Sequence, residues 1–384
     1  AVEGPRLFYH GEVAKAILAD QRAHGGLLTA ADLHRYRVRR YKPLASSFRG
    51  RTVLTNPPPS RGGLLISFAL RLLDSFRFDP AEFGKAGHLE LLCEAMRVTS
   101  LARQEMEAQD LQPRQQVARL LGPATVRRWS GVLHDFLSRP VSERSLDPAI
   151  AARPNTTQIS VMDADGLVVS LTTSAGEGTG FIVPGTGVIL NNMLGEADLH
   201  PQGFHQSTPG KRIPSMMAPT VVLENGQPVL ALGSGGANRI RSAILQVLLN
   251  TLAFDLPLSE AVEAPRIHFE DGLLQVEAGN DAQTIAHLEE AGYAVNRWKQ
   301  RHMYFGGVHA VGRAVTSRHP SHGCARRFPC WRPGLSRRSE ERGVRSDEWR
   351  SRRVAVQCLL SAHRSLAIRR SPPFLWRPAQ IGRR

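Results

Sequence analysis

The run NTTQISVMDADGLVVSLTTSAGEGTGFIVPGTGVILNN, residues 155–192, decides the predicted fold. Within it, the alternation QISVM at 158–162 predicts a strand, and the turn-forming DADG at 163–166 predicts a tight hairpin. A second strand, LVVSLTT at 167–173, follows. The chain therefore returns to the point where the first strand begins.

Thr156 stands at that point and is the candidate nucleophile. If the chain cuts itself between Asn155 and Thr156, the new α-amine lies within reach of the Thr156 hydroxyl and can act as its base. Ser174 returns beside it at the end of the second strand. Thr157 is the nearest rival for the new terminus. On spacing alone, Thr-rich strands more often form half-buried sheet surface.

Further blocks in a fixed order extend this pattern over about 300 residues. They are FYHGEVAKAI (8–17), HGGLLTAADL (24–33), NPPPSRGG (56–63), LLCEAM (91–96), GVILNNM (187–193), KRIPSMMAPT (211–220), LGSGGANRIRSAILQ (232–246) and EAPRIHFEDG (263–272). Together with TTQISVMDADG, they resemble the γ-glutamyltranspeptidase family of N-terminal-nucleophile hydrolases. The resemblance implies that Thr156 is the nucleophile and that Ser174 replaces a second threonine which hydrogen-bonds it. Gln158 stands where the family usually has histidine.

The resemblance also implies substrate contacts. Glu196 stands where an acidic residue holds the substrate α-amino group, although a solvated loop carboxylate is the alternative. Ser215 stands where a serine pair holds the substrate carboxylate, and Met216 replaces the second serine. Met193 replaces a frequent glutamine. These changes leave open a related acylase that takes a non-glutamyl group.

The glycine loop at 233–237 resembles the family's oxyanion hole. Glycine lets a bare backbone approach the substrate, and aligned N–H groups stabilise the developing oxyanion. Aligned without gaps, the two donors are Gly236 and Ala237, and Gly235 contacts the substrate. A phosphate-binding loop is an alternative, but no GK[ST] or GxGxxG follows. A plain turn before a helix is another.

The activity implied is hydrolysis or transfer of γ-glutamyl amides such as glutathione through an acyl-enzyme. The partners are a small γ-glutamyl donor, water or an amino-acid or peptide acceptor, and the second product of the cleavage. No cofactor or metal, no nucleic acid and no membrane span are expected. The alternatives are the acylase and an inactive, truncated product. The family is often periplasmic or extracellular, but localisation is not predicted.

The chain divides into three parts by charge and pattern. Residues 1–155 are expected to be the C-terminal part of a large subunit whose beginning is absent, and 156–316 the small subunit with the nucleophile. Residues 317–384 hold 17 Arg, no Lys and four acidic residues, so this tail carries +13 of the net charge of +15. An Arg-rich tail without family pattern predicts an out-of-frame or disordered segment. A nucleic-acid-binding or membrane-binding tail is the alternative, and His319, His322, Cys324 and Cys330 fit no common zinc spacing.

The remaining pattern predicts an α+β protein. Helices are predicted at 11–24, 64–76, 88–109, 237–253, 259–264 and 281–291, with a short one after Thr29. Strands are predicted at 158–162, 167–173, 181–190, 219–223, 229–232 and 303–312. Helices on either side of a strand-rich region suit an αββα sandwich, incomplete at both ends of this chain.

Overall fold

The computed structural model describes most of the chain up to residue 313. The described ranges are 4–109, 111–144, 156–163, 165–176, 178–196, 199–200, 203, 206 and 208–313, with the backbone of 323–326 and 354–357. Asn155, on one side of the predicted cut, lies outside these ranges. So do His319, His322 and Cys330, three of the four residues whose spacing fits no common zinc site.

Helices predominate before Thr156 and strands become frequent after it, as predicted, but two strands also stand before Thr156. The helices are α1 Pro5–Tyr9, α2 Glu12–Ala23, α3 Ala30–Arg35, α4 Arg61–Leu73, α5 Ala86–Glu107, α6 Pro113–Leu121, α7 Pro123–Ser138, α8 Arg239–Leu252, α9 Leu258–Glu263 and α10 Ala282–Glu290. The strands are β1 Leu44–Phe48, β2 Arg51–Thr55, β3 Thr156–Asp163, β4 Val168–Ser174, β5 Thr220–Glu224, β6 Gln227–Gly235, β7 Ile267–Glu270, β8 Leu273–Val276, β9 Ala294–Arg297, β10 Gly307–Gly312, β11 Gly323–Arg326 and β12 Val354–Gln357.

The described residues form three sheets, and two of them are stacked on each other. The larger has the order β1-β2-β5-β6-β10-β11, and the smaller has the order β12-β3-β4. Met162 of β3, Ala231 of β6 and Val311 of β10 form a small apolar cluster between them. Strands 7, 8 and 9 form a separate sheet.

The main core lies between the six-stranded sheet and the helices. Every residue of α8 is buried, and most of α4 and α5 is buried too. Their side chains join those of β1, β2, β5, β6 and β10 in one apolar cluster. A helix that is buried on all sides forms the centre of a large core. Because the core unites α4 and α5 with β5 and β6, it spans both sides of the predicted cut.

The α+β class and the stacked sheets of the predicted sandwich are confirmed. On the outer face of β4, Val169 and Leu171 are exposed in the described part of the chain. The predicted cap of the short helix α3 is also present. The Thr29 hydroxyl accepts from the Asp32 N–H, and the Asp32 carboxylate accepts from the Thr29 N–H.

One strand prediction is wrong, and another starts too early. Residues 181–190 form a tight loop closed by one isolated bridge, Ile182 to Ile189, because Gly185 and Gly187 adopt positive φ between them. At 303–312 the strand begins only at Gly307, since Met303–Phe305 is a short 3₁₀ turn and Gly306 has φ 80°. The sequence also missed α6, α7, β1, β2 and the sheet β7-β8-β9.

Two short strands come from the Arg-rich tail. β11 pairs antiparallel with β10, and β12 pairs antiparallel with β3. β12 is the VAVQ stretch of the tail. The out-of-frame origin of 317–384 stays a prediction.

Candidate active site

The β3–β4 hairpin brings Thr156 and Ser174 together. They are direct cross-strand partners, and Thr156 Oγ1 lies 2.9 Å from Ser174 Oγ, with either hydroxyl able to donate. The Gly176 N–H donates to Ser174 Oγ at 3.0 Å. Ser174 therefore holds the candidate nucleophile on one side and is itself oriented by the backbone.

Strand alternation separates Thr156 from its rival Thr157. Side chains two residues apart share one face of a strand, and Gln158, Ser160 and Met162 are all buried between the sheets. Thr156 lies on this inner face, toward β6. Thr157 lies on the outer face, away from the hydroxyl of Ser174.

The glycine loop passes directly beside Thr156. A Cβ on Gly235 would stand 2.3 Å from the Thr156 carbonyl oxygen, and a Cβ on Gly236 would stand 3.1 Å from the Cα of Gly306. The first contact leaves no room for a side chain, and the second is tighter than an ordinary van der Waals contact. Gly236 and Ala237 have φ of 134° and 48°, so both adopt positive φ. This strained turn is the point where β6 ends and α8 is about to begin.

The carbonyls of this turn point along α8. The Arg239 N–H donates to the Gly236 oxygen at 2.9 Å, and the Ile240 N–H donates to the Ala237 oxygen at 3.0 Å. In a trans peptide the C=O and the following N–H point in opposite directions, so the Ala237 N–H points away from the helix. The N-terminus of a helix also carries partial positive charge. The loop therefore suits a developing negative charge.

The Glu196 carboxylate lies against Gly176, the residue whose N–H donates to Ser174. A Cβ on Gly176 would stand 2.0 Å from Glu196 Oε1, 2.4 Å from Asn192 Oδ1 and 3.1 Å from Met193 Cγ. Gly176 thus donates its N–H to Ser174, and the Glu196 carboxylate occupies the position that a side chain of residue 176 would take. Glu196 is half-buried, not a fully solvated loop carboxylate.

Asn192 was not predicted as a site residue. Its Oδ1 accepts from the Gly178 N–H at 3.1 Å, and its N–H donates to the Ala175 oxygen at 3.3 Å. Asn192 thereby fastens the segment after Ser174 to the segment that carries Glu196. The paired asparagines of GVILNNM were the available signal.

The described hydrogen bonds of Ser215 join it to the start of α4. Its carbonyl accepts from the Arg61 N–H at 2.8 Å and from the Ser60 hydroxyl at 3.2 Å, where α4 begins. Within the described ranges, no hydrogen bond joins it to Thr156, Ser174 or Glu196. Met216 is 3% exposed and packs in the main core. Its link to an altered acyl pocket stays a prediction.

A buried ionic group lies on the far side of α8. His268 Nδ1 is 2.8 Å from Ser242 Oγ, and Arg241 pairs with Glu270 at 2.9 Å. Burial lowers the pKa of His268, against the effect of its hydrogen bond with Glu270. Burial raises the pKa of Glu270, but His268 and Arg241 outweigh it and lower that pKa to about 2.

Metal and membrane features are absent from the described part of the chain. No group of three or more His, Cys, Asp or Glu side chains there could hold a metal ion. None of the helices described is both long enough and apolar enough to cross a membrane.

The site therefore combines a hydroxyl pair at a strand start, a glycine turn against it and a nearby carboxylate, between two stacked sheets. The family model for γ-glutamyltranspeptidase matches residues 1–326. The chain belongs to the γ-glutamyltranspeptidase family.

Curated relatives include both acylases and glutathione hydrolases. The chain is 33% identical over 313 residues to the acylase ACY 1 proenzyme of Pseudomonas sp. strain SE83, covering 81% of this chain and 55% of the relative. It is 30% identical over 323 residues to the glutathione hydrolase proenzyme of Escherichia coli K12, covering 77% and 53%. The chain spans about half the length of these relatives.

Among solved structures, cephalosporin acylase from Bacillus halodurans has the same fold. The TM-score is 0.66 at 24% identity, over 81% of this chain and 56% of that one. These comparisons establish the family and the fold.

Proposed function

We propose that the chain cuts itself between Asn155 and Thr156, and that the freed Thr156 is the nucleophile of an amide hydrolase or acyltransferase. The observation that carries this proposal is the 2.9 Å contact between Thr156 Oγ1 and Ser174 Oγ at the start of β3. A held hydroxyl loses little freedom on reaction, and its own α-amine serves as base once the chain is cut.

The reaction follows from these positions. Thr156 Oγ1 attacks the amide carbonyl carbon while its α-amine takes the hydroxyl proton. The oxyanion accepts hydrogen bonds from the N–H groups of Gly236 and Ala237. The C–N bond then breaks, the leaving amine takes the proton, and an ester to Thr156 remains. Water or an amino acid attacks this ester and releases the acyl group.

The acyl group that we propose is γ-glutamyl, as in glutathione. The support is the Glu196 carboxylate, which stands against Gly176 and so near Ser174. A carboxylate there can bind the substrate α-ammonium by a charge-assisted hydrogen bond. The second candidate is a non-glutamyl acylase. Met193 beside the same glycine and the 33% identity to acylase proenzymes favour it.

The two products of the cut would stay together. β2 from the first part pairs with β5 from the second, from Thr52–Leu223 to Leu54–Val221. Arg144 bonds both Glu94 of its own part and the Tyr293 hydroxyl of the other. Separating the parts would expose the shared core, so we expect them to separate only on denaturation.

The test compares the wild-type chain with Thr156→Ala and Thr157→Ala. Intact mass should find a fragment that starts at Thr156 in the wild type and in Thr157→Ala, but not in Thr156→Ala. The same proteins are assayed with a γ-glutamyl anilide and with the glutaryl anilide, which lacks only the α-amino group. Faster turnover of the γ-glutamyl anilide supports the first candidate, and the reverse supports the acylase. A chain that hydrolyses substrate while uncut would contradict the nucleophile proposal.

A further inference from the structure

The inner face of the β3–β4 hairpin carries three successive polar pairs before it becomes apolar. The register makes each pair a direct cross-strand neighbour. We call them the polar ladder: Thr156 with Ser174, Gln158 with Thr172, and Ser160 with Ser170. Buried polar groups cost free energy unless they are hydrogen-bonded, so a ladder in this place needs partners.

Gln158 is the centre of the polar ladder. It is 1% exposed, its Oε1 accepts from Thr172 Oγ1 at 2.5 Å, and its Nε2 lies 3.0 Å from both Ser160 Oγ and Ser170 Oγ. One amide therefore connects both strands of the hairpin at the position next to the nucleophile.

The pair of the polar ladder farthest from Thr156, Ser160 with Ser170, joins the hairpin to the six-stranded sheet. Ser170 Oγ donates to the Leu232 oxygen of β6 at 2.8 Å, and Ser160 Oγ donates to the His309 oxygen of β10 at 3.1 Å. Because Gln158 Nε2 contacts both serine hydroxyls, it connects the hairpin to both strands beneath it.

The β3–β4 hairpin packs against two glycines of β6. A Cβ on Gly233 would stand 2.2 Å from Gln158 Oε1, and a Cβ on Gly235 would stand 2.3 Å from the Thr156 oxygen. Residues two apart in a strand share a face. Gly233 therefore lies under Gln158 as Gly235 lies under Thr156. The Gln158 amide therefore packs on Gly233 between the two sheets, at the inner-face position next to the nucleophile.

We propose that Gln158 is a positioning residue for Thr156. It does not touch substrate. It fixes the distance between β3 and β6. At this distance Thr156 Oγ1 points at the carbonyl of a substrate bound by the turn at 236–237. The inference rests on the proposed function of Thr156. A displacement of about 1 Å at a reacting group can lower the rate about 100-fold.

The experiment changes each of the two residues that pack against each other, Gln158 and Gly233. Gln158→Met keeps the length of the side chain and removes its hydrogen bonds. Gly233→Ala keeps every hydrogen-bonding group and places a methyl where the amide lies. Thr173→Val is the matched control, because Thr173 is an exposed residue on the outer face of the same hairpin. Steady-state kinetics with the better of the two anilides are measured on folded protein, whose amount is checked by circular dichroism.

We expect both inner-face variants to lower kcat about 10- to 100-fold with KM changed less than about threefold, since the interaction acts on the reacting group and not on binding. Thr173→Val should match the wild type. Folded Gln158→Met with wild-type kcat overturns the inference, as does a raised KM at unchanged kcat. If Gln158→Met does not fold, wild-type kcat in Gly233→Ala overturns it. An inactive wild type overturns the proposed function itself.

Discussion

The Thr156 carbonyl oxygen lies against Gly235, so close that a Cβ at position 235 would stand 2.3 Å from it. The contact crosses from the small sheet to the large one. It places the backbone of the candidate nucleophile on the strand that leads into the turn at 236–237. Position 235 therefore has room for glycine only.

Gly235→Ala should lower kcat at least about 100-fold, because the new methyl must push β3 away from the turn. It should also lower the melting temperature, because the added methyl overpacks the contact between β3 and β6. Gly131→Ala is the matched control. No atom would lie within 4 Å of its Cβ, and alanine favours the helix α7 around it. Full activity in Gly235→Ala would show that β3 can move without cost.

Ser174 should act through its hydroxyl. Ser174→Ala removes the 2.9 Å partner of Thr156 and should lower kcat roughly 10- to 1000-fold, the range for one aimed hydrogen bond. Ser174→Thr keeps the hydroxyl and should keep most of the activity. Initial rates at saturating substrate compare the three proteins. Equal rates in all of them would remove Ser174 from the site.

Glu196 should recognise charge on the substrate. Glu196→Gln keeps the size of the side chain next to Gly176 and removes its charge. KM for the γ-glutamyl anilide should rise roughly tenfold or more, the scale of one charge-assisted hydrogen bond. KM for the glutaryl anilide should barely change. If both substrates lose equally, Glu196 is structural and the acylase becomes the better proposal.

Acid should destabilise the fold in two steps. Burial lowers the pKa of His88 from 6.5 to about 4, so the unfolded chain binds this proton first as the pH falls below 6.5. Stability is then lost between about pH 6.5 and 4, at up to about 1.4 kcal/mol per pH unit. The lowered pKa of His268 acts in the same direction. Glu270, with a pKa of about 2 against an ordinary 4.5, adds a loss between about pH 4.5 and 2.

The first step can be tested at one residue. The His88 ring packs against Phe83 and Phe254, and its Nδ1 accepts from the Gly84 N–H at 3.0 Å. In His88→Phe, the free energy of unfolding should fall less steeply between pH 6.5 and 5 than in the wild type. Urea titration at each pH measures it. An unchanged slope would assign the acid sensitivity to other groups.

The sequence by itself determined the parts of this protein that depend on short range. Period-two alternation and the DADG turn predicted the hairpin, and its length placed Ser174 opposite Thr156. The Thr29 cap and the long apolar helices followed from local propensity and pattern in the same way. Local rules failed at 181–190, where the apolar residues looked like a strand but the glycines closed a loop.

Tertiary structure alone decided how the hairpin meets the rest of the site. The seating of Thr156 on Gly235 and of Gln158 on Gly233, and the approach of Glu196 to Gly176, join segments from 20 to about 80 residues apart. It also placed the Met216 side chain in the main core. No local pattern encodes such contacts, because they depend on the distance between two packed sheets. The side chains between those sheets, the apolar cluster of Met162, Ala231 and Val311 and the polar ladder, come from distant parts of the sequence.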